Sequence, residues 1–241
     1  MLIHTGPMFT VYFGDAQDGI KPEDFYCVPD SKQLLSHKPF ERLKKLMGIE
    51  SLVFLHQTHS ADGYVVMPDE LDTFKPFALE GDYLLTGAKI GLGVMTADCL
   101  PIVMHDNVNN VAMVIHAGWR GSMQKIAVKA LEHMQKVFNT DPLALRIIFG
   151  PSAKACCYEV QPDFMTHLDA FEFGNYVVRR QGEQLFFDLP LFNRMQLEAC
   201  GIRKEAFCME YNLCTICHDA FYSYRRQKEQ AGRQMTVISL K

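Results

Sequence analysis

Long apolar runs are missing from this 241-residue chain. Its longest, such as Ile90–Met95 and Val111–Ile115, fall far short of the ~20 residues a membrane-spanning helix needs. A cationic surplus is missing as well: 24 Lys and Arg against 28 Asp and Glu leave a net charge of −4. That balance offers no electrostatic footprint for nucleic acid or for an anionic membrane surface. There is no GxGxxG, P-loop, GxSxG or HExxH, so the chain lacks the sequence marks of several common enzyme chemistries. None of its nine histidines stands in an HxH pair, and tryptophan occurs once. No repeat, low-complexity tract or Pro/Gly/Ser-rich linker divides the chain, so one domain over residues 1–241 is expected. The opening stretch, MLIHTGPMFTVYFGD, has no basic region followed by a small-residue cleavage site, and a cytoplasmic protein is expected.

Cysteine is plentiful by contrast, at positions 27, 99, 156, 157, 200, 208, 214 and 217. Without a secretory signal, reduced thiols are expected rather than a disulfide framework, and most should pack as small core residues. The adjacent pair Cys156-Cys157 reads as core or loop packing. The CTIC of Cys214 and Cys217 has the spacing of half a zinc site or a redox pair, but no second CxxC accompanies it.

The apolar pattern predicts strands at Leu52–Leu55, Tyr83–Leu85, Leu92–Met95, Pro101–Met104 and Val111–Ile115. The last two flank HDNVNN, whose Asp and Asn residues favour a hairpin turn. Met123, Ile126, Ala127, Ala130, Leu131, Met134, Val137 and Phe138 follow at helical spacing, with Ser122 as the expected N-cap. Asp141-Pro142 ends that helix, and Leu145–Phe149 reads as a buried strand. A second helix should run from Asp188-Leu-Pro190 to Gly201. The tail AFYSYRRQKEQAGRQMTVISL reads as two strands joined by a charged loop. Hairpin-linked strands with a few helices predict an α+β fold with mixed sheets flanked by helices.

Three polar corners follow apolar strands: HQTHS with His56, Gln57 and His59; TADCLP with Asp98 and Cys99; and VIHAGWRG with His116 and Arg120. Cys99 and His116 fall on neighbouring strands of the predicted hairpin. His59 can supply a third ligand if the fold gathers them, since zinc takes borderline Cys and His donors and a catalytic site keeps one position open. A Cys99 thiolate activated by His116 is the rival use of the same residues. Arg120, beside Gly121 and the expected helix start at Ser122, suggests an anion site. Asp82 and Asp98 are candidates for proton handling or for orienting a ligand histidine. Trp119 suits packing or a purine-stacking wall, and Arg225-Arg226 are further basic candidates for the anion site, a pattern more often a plain surface pair.

Taken in order, HQTHS, GDYLLT, TADCLPIVMHD, VIHAGWRG, GPSAKACCYEV, DLPLFNRMQLEACGI and CTICHDAFYSYRR resemble the YfiH family, which includes the laccase-domain proteins. The resemblance runs from about residue 50 to the last residue. It implies a cysteine-hydrolase-like, YfiH-like fold and one zinc held by His59, Cys99 and His116. The activities it implies are phosphorolysis of purine nucleosides (adenosine, inosine, guanosine and methylthioadenosine with phosphate) and deamination of adenosine. Its other implied roles are editing of peptidoglycan precursors and polyphenol oxidation. HQTHS replaces the family's usual HQVHG, Gly81 its usual alanine, and Ala153-Lys154-Ala155 an Ile-Gly-Pro stretch. The N-terminal segment also lacks the family's usual signature. All these changes touch pocket walls rather than the three ligands.

The laccase label can be weighed on counts. A multicopper oxidase needs about ten histidines, many paired as HxH, with a His₂Cys blue site; nine unpaired ones do not suffice. Zinc chemistry fits better, because zinc polarises substrate or activates water, although copper can occupy the same donors. The expectation is therefore an enzyme with Cys99, His116 and Arg120 catalytic. Its partners would be a small nucleoside and phosphate, with no nucleic acid or membrane, in a monomer or homodimer.

Overall fold

The computed structural model describes residues 1–22 and 38–241; Cys27 lies outside them. In chain order the strands are β1 (Leu2–Thr5), β2 (Phe9–Phe13), β3 (Leu52–Phe54), β4 (Gly63–Val65), β5 (Tyr83–Thr86), β6 (Gly91–Thr96) and β7 (Leu100–Asp106). They continue as β8 (Val111–Ala117), β9 (Leu145–Phe149), β10 (Glu159–Val160), β11 (Val178–Gln181), β12 (Gln184–Phe187), β13 (Phe207–Cys208) and β14 (Gln234–Leu240). The helices are α1 (Lys38–Met47), α2 (Trp119–Met123), α3 (Ile126–Phe138), α4 (Leu189–Ala199) and α5 (Tyr224–Gln227).

A six-stranded sheet, in the order β13-β9-β7-β8-β5-β4, packs against a five-stranded sheet, β1-β2-β14-β6-β3. Both are mixed: β4 runs parallel to β5 and β3 parallel to β6, while the β7–β8 hairpin is antiparallel. The layering follows from period-two alternation in strands whose two faces are both covered. Leu84, Val103 and Val114 meet Val11, Leu92 and Ile238 between the sheets. Their neighbours Leu85, Ile102 and Ile115 point the other way, onto Ile126, Ala130, Leu131 and Met134 of α3 and Phe192 of α4. On the outer face of the smaller sheet, Phe40 and Leu43 of α1 pack on Phe54, Met95 and Val237. Fully burying each such Leu, Ile or Phe contributes about 1.5–3 kcal/mol. No helix among the described residues is long and apolar enough to cross a membrane.

The hairpin turn expected at HDNVNN forms because Asp106 accepts the amides of Val108 and Asn109 at 2.8 and 3.0 Å. Helix α4 is capped by Asp188, whose Oδ1 accepts from the Leu191 amide, and Gly201 follows it in the left-handed region at φ 88°.

Two expectations are corrected. Ser122 does not cap the long helix. Helical backbone begins at Trp119 after Gly118, breaks at Lys125 (φ 61°) and resumes at Ile126, so Ser122 sits buried inside α2. There its hydroxyl accepts from Asn193 Nδ2 at 2.9 Å. The tail is not two strands: residues 224–227 form the single turn α5, and β14 alone extends between β2 and β6. Ser223 nucleates that turn by accepting the Arg226 amide at 3.2 Å.

Candidate active site

Strand register delivers two of the site residues. Tyr83 pairs with Ile115 and Leu100 with Ala117, so Asp82 and Cys99, one step beyond β5 and β7, flank the end of β8 where His116 sits. His59 arrives separately, on the loop after β3. Gln57 holds that loop by imitating a strand residue: its amide donates to the Met95 carbonyl at 2.8 Å and accepts the Met95 N–H at 2.7 Å.

One fully buried carboxylate then organises the group. Asp82 accepts the backbone amides of Thr58, His59 and Ser60 at 3.3, 3.1 and 2.6 Å, and the Ser60 hydroxyl at 2.8 Å. These bonds hold His59 at φ 60°, a left-handed conformation disfavoured without glycine. Asp82 Oδ1 also receives His116 Nδ1–H at 2.8 Å, which leaves His116 Nε2 free to act as a donor atom. Of the two candidate carboxylates, Asp82 is the one that orients a histidine.

Ligand atoms of His59, Cys99 and His116 lie within 4.8 Å of one another. Cys99 Sγ stands 3.7 Å from His59 Nε2, close to the ~3.6 Å separating an S and an N ligand of one tetrahedral zinc. Space for them is made by Gly118: a Cβ there would lie 2.8 Å from His59 Cδ2 and 3.0 Å from Cys99 Sγ. The first glycine of HAGWRG is thus required for clearance, since its backbone is ordinarily extended at φ −71°. Burial raises the Cys99 thiol, but His116 and His59 outweigh it and bring its pKa down to about 6. Burial lowers His116, and the Cys99 thiolate and Asp82 outweigh that, lifting it to about 9. Soft and borderline donors, a deprotonated thiol and a fixed tautomer suit a divalent metal such as zinc.

The group opens on a cavity of about 500 Å³, also lined by Trp119, Tyr158, Tyr224 and the cations Arg120, Arg225, Lys228 and Arg233. Arg120 lies 4.6 Å above the Trp119 ring. The same indole packs edge-on against Phe164 at 5.5 Å, so it serves both the core and the cavity wall. His56 stands apart, exposed, its backbone bridged to Glu80.

Asp98 also lines the cavity, but its hydrogen bonds are those of a capping carboxylate: it accepts from Thr215 Oγ1 at 2.7 Å, Ser223 Oγ at 3.0 Å and the Arg225 amide at 2.6 Å. Its work is to tie distant loops beside Cys99. Arg225 and Arg226 are both exposed, as a surface pair would be, yet both are engaged, and Arg225 lines the cavity. Arg225 donates to the Glu159 carbonyl and lies 5.0 Å over Tyr158, while Arg226 clamps the Ile216 and Phe221 carbonyls. Sequence reasoning missed Tyr158, Lys228 and Arg233 because only a cavity wall unites them. The packing reading of Cys156-Cys157 is corrected too: with Cys214 and Cys217 they form a second convergent group.

The family model described as multi-copper polyphenol oxidoreductase laccase matches residues 27–241, and the chain belongs to that family. It is 28% identical to a purine nucleoside phosphorylase of Clostridium acetobutylicum, over 95% of this chain and 91% of that one. It is 33% identical to an adenosine deaminase from an unknown prokaryotic organism, over 88% of this chain and 84% of the other. In fold it matches the hypothetical protein YfiH of Bacillus licheniformis with a TM-score of 0.83 at 22% identity, over 97% and 93% of the two chains.

Proposed function

We propose that this chain cleaves purine nucleosides with phosphate and deaminates adenosine, using zinc held by His59, Cys99 and His116. One observation carries the reading: a three-donor group opens on a cavity that four cationic side chains also line. Three protein donors leave a position for substrate, as in catalytic zinc sites. The names of the two relatives fit both reactions.

Bound there, zinc supplies Lewis acidity toward a substrate atom. Arg120 and Arg225 hold the phosphate and neutralise its charge. One phosphate oxygen bonds to C1′ as the C1′–N9 bond breaks, and the purine leaves with the electron pair and takes up a proton. Trp119, Tyr158 and Tyr224 offer aromatic faces to the base. In deamination, water adds at C6 and ammonia leaves. Asp82 keeps His116 in one tautomer throughout. Inosine, guanosine and methylthioadenosine enter by the same contacts, and the enzyme works as a monomer or homodimer in the cytoplasm. Copper in excess occupies the same donors, because it outcompetes zinc in raw affinity.

The test is metal analysis together with chromatography of purified protein incubated with inosine or adenosine and phosphate. Ribose 1-phosphate and free base are expected; zinc-free protein with no turnover sinks the reading. A second reading rests on the chain Cys99–His116–Asp82, whose lowered thiol and 2.8 Å His–Asp bond also suit a nucleophile. It makes the protein a Cys/His hydrolase acting on a peptidoglycan precursor. Cys99→Ala separates the two: it removes the metal on the first reading, and on the second it abolishes hydrolysis with any metal retained.

A further inference from the structure

Four thiols outside the cavity converge on one point. Cys156 and Cys157 lie on the loop after β9, and Cys214 and Cys217 on the loop after β13. All four Sγ atoms fall within 4.8 Å of one another, with Cys156 and Cys217 4.0 Å apart. Two sulfurs on one tetrahedral zinc stand about 3.8 Å apart, given Zn–S bonds of ~2.3 Å. The thiols therefore lie at or a little beyond ligand-shell spacing, and none is in a disulfide.

The backbone that presents them is fixed independently. Ser152 and Cys214 form an isolated parallel bridge, in which the Ser152 amide donates to the Leu213 carbonyl and the Thr215 amide to the Ser152 carbonyl, each at 3.0 Å. Buried Asn212 donates to the Gly150 carbonyl at 2.6 Å and to the Ser152 hydroxyl at 3.0 Å. Lys154 Nζ holds the Asn212 carbonyl at 2.8 Å, and Arg226 holds the Ile216 carbonyl, also at 2.8 Å. These two cations, Lys154 and Arg226, offset part of the negative charge that four thiolates around a divalent ion would carry.

We infer that Cys156, Cys157, Cys214 and Cys217 form a second, tetrathiolate metal site that binds zinc and pins the two loops together. Four sulfur donors leave no position for substrate, the mark of a structural site. The loops it joins carry Tyr158 and, through Thr215 and Asp98, position Arg225, so this metal sits behind the cavity wall. The adjacent Cys-Cys and the lone CxxC are each uninformative; they become a site only across the Ser152–Cys214 bridge.

The experiment uses the full chain carrying Cys99→Ala, in which the three-donor site is broken. This protein is expected to retain one equivalent of zinc per chain after purification without chelator. A mercurial thiol reagent should release it. Cobalt(II) exchanged into the same protein should show the intense charge-transfer and visible bands of tetrahedral tetrathiolate coordination. Adding Cys156→Ser and Cys217→Ser, both at exposed positions, should remove the zinc and those bands. Cys217→Ser alone, with the cobalt spectrum of the unaltered protein, decides the matter if the double variant does not fold. A Cys99→Ala protein that holds no zinc and gives no tetrahedral cobalt spectrum overturns the site. So does a mass showing the four thiols joined as disulfides in freshly purified protein.

Discussion

Among the described residues two clusters have the donors to hold a metal ion, and they differ in donor number, charge and neighbours. The first combines a thiol with two imidazoles, one of them held by a buried carboxylate, and opens on the cavity. The second is all sulfur and lines no part of that cavity. In the first, a cationic histidine draws the thiol pKa down to about 6. In the second there is no imidazolium. Partial burial and the neighbouring Cys214 thiol push Cys156 up to about 11, and Cys157 is raised for the same kinds of reason. Thiols alike in sequence are thus set apart by what the fold places beside them. In the first cluster an imidazolium favours the thiolate; in the second, Cys156 and Cys157 favour the neutral thiol while Cys214 is lowered.

The largest expected effect comes from breaking the first cluster. Cys99→Ala should remove its metal and reduce nucleoside turnover to background, measured by metal analysis and chromatography of the reaction. Folding should survive, because Cys99 lies at the edge of the cavity rather than in the sheet core.

Asp82→Asn attacks the support and not a ligand. An amide cannot accept the three loop amides and the His116 N–H as a carboxylate does, so metal affinity should fall about 10–100-fold. Competition with a chromophoric chelator measures this, and unchanged affinity would mean that Asp82 does not set the histidine's orientation.

Asn212→Ala weakens the second cluster from behind. It leaves the buried Gly150 carbonyl without its side-chain partner, at a cost of about 1–3 kcal/mol. Denaturant unfolding reads that loss, while zinc at His59, Cys99 and His116 should be unaffected.

The smallest effect sharpens the electrostatic contrast. In metal-stripped protein, Cys99 should be alkylated with a pH midpoint near 6 and Cys156 with one near 11, as peptide mass mapping would show. Stability should respond much less. The lowered Cys99 pKa contributes stability present above the ordinary thiol value of 9.0 and lost as pH falls through about 6. The raised His116 pKa contributes stability present below 6.5 and lost as pH rises through about 9. Between 6.5 and 9 the two slopes oppose and nearly cancel. The melting temperature of the metal-free protein should accordingly stay flat across that window as far as this pair governs it.

Much of the fold is legible in the chain because each local signal is physically self-contained. The continuous apolar run of Val111–Ile115 announces a strand covered on both faces, and that is how β8 lies. Asp188 caps α4 with no help from distant residues. Where a local signal competed with a distant partner, the reading went astray. Ser122 looks like a cap, yet Asn193, 71 residues away, claims its hydroxyl. The tail reads as strand on composition, yet Ser223 and Asp98 turn residues 224–227 into a helix. Arg225 shows no sign in sequence of facing a cavity, since Tyr158 and Glu159 that hold it lie far along the chain.

The sequence by itself determined the α+β class and the β7–β8 hairpin and singled out His59, Cys99 and His116 as candidates, because periodicity, turn chemistry and donor type are properties of short segments. Tertiary structure alone decided which carboxylate organises those donors and which cations share their cavity. It also decided that two unremarkable cysteine pairs meet. Those outcomes depend on strand register and on loops converging from far apart, and no short segment encodes where another will be.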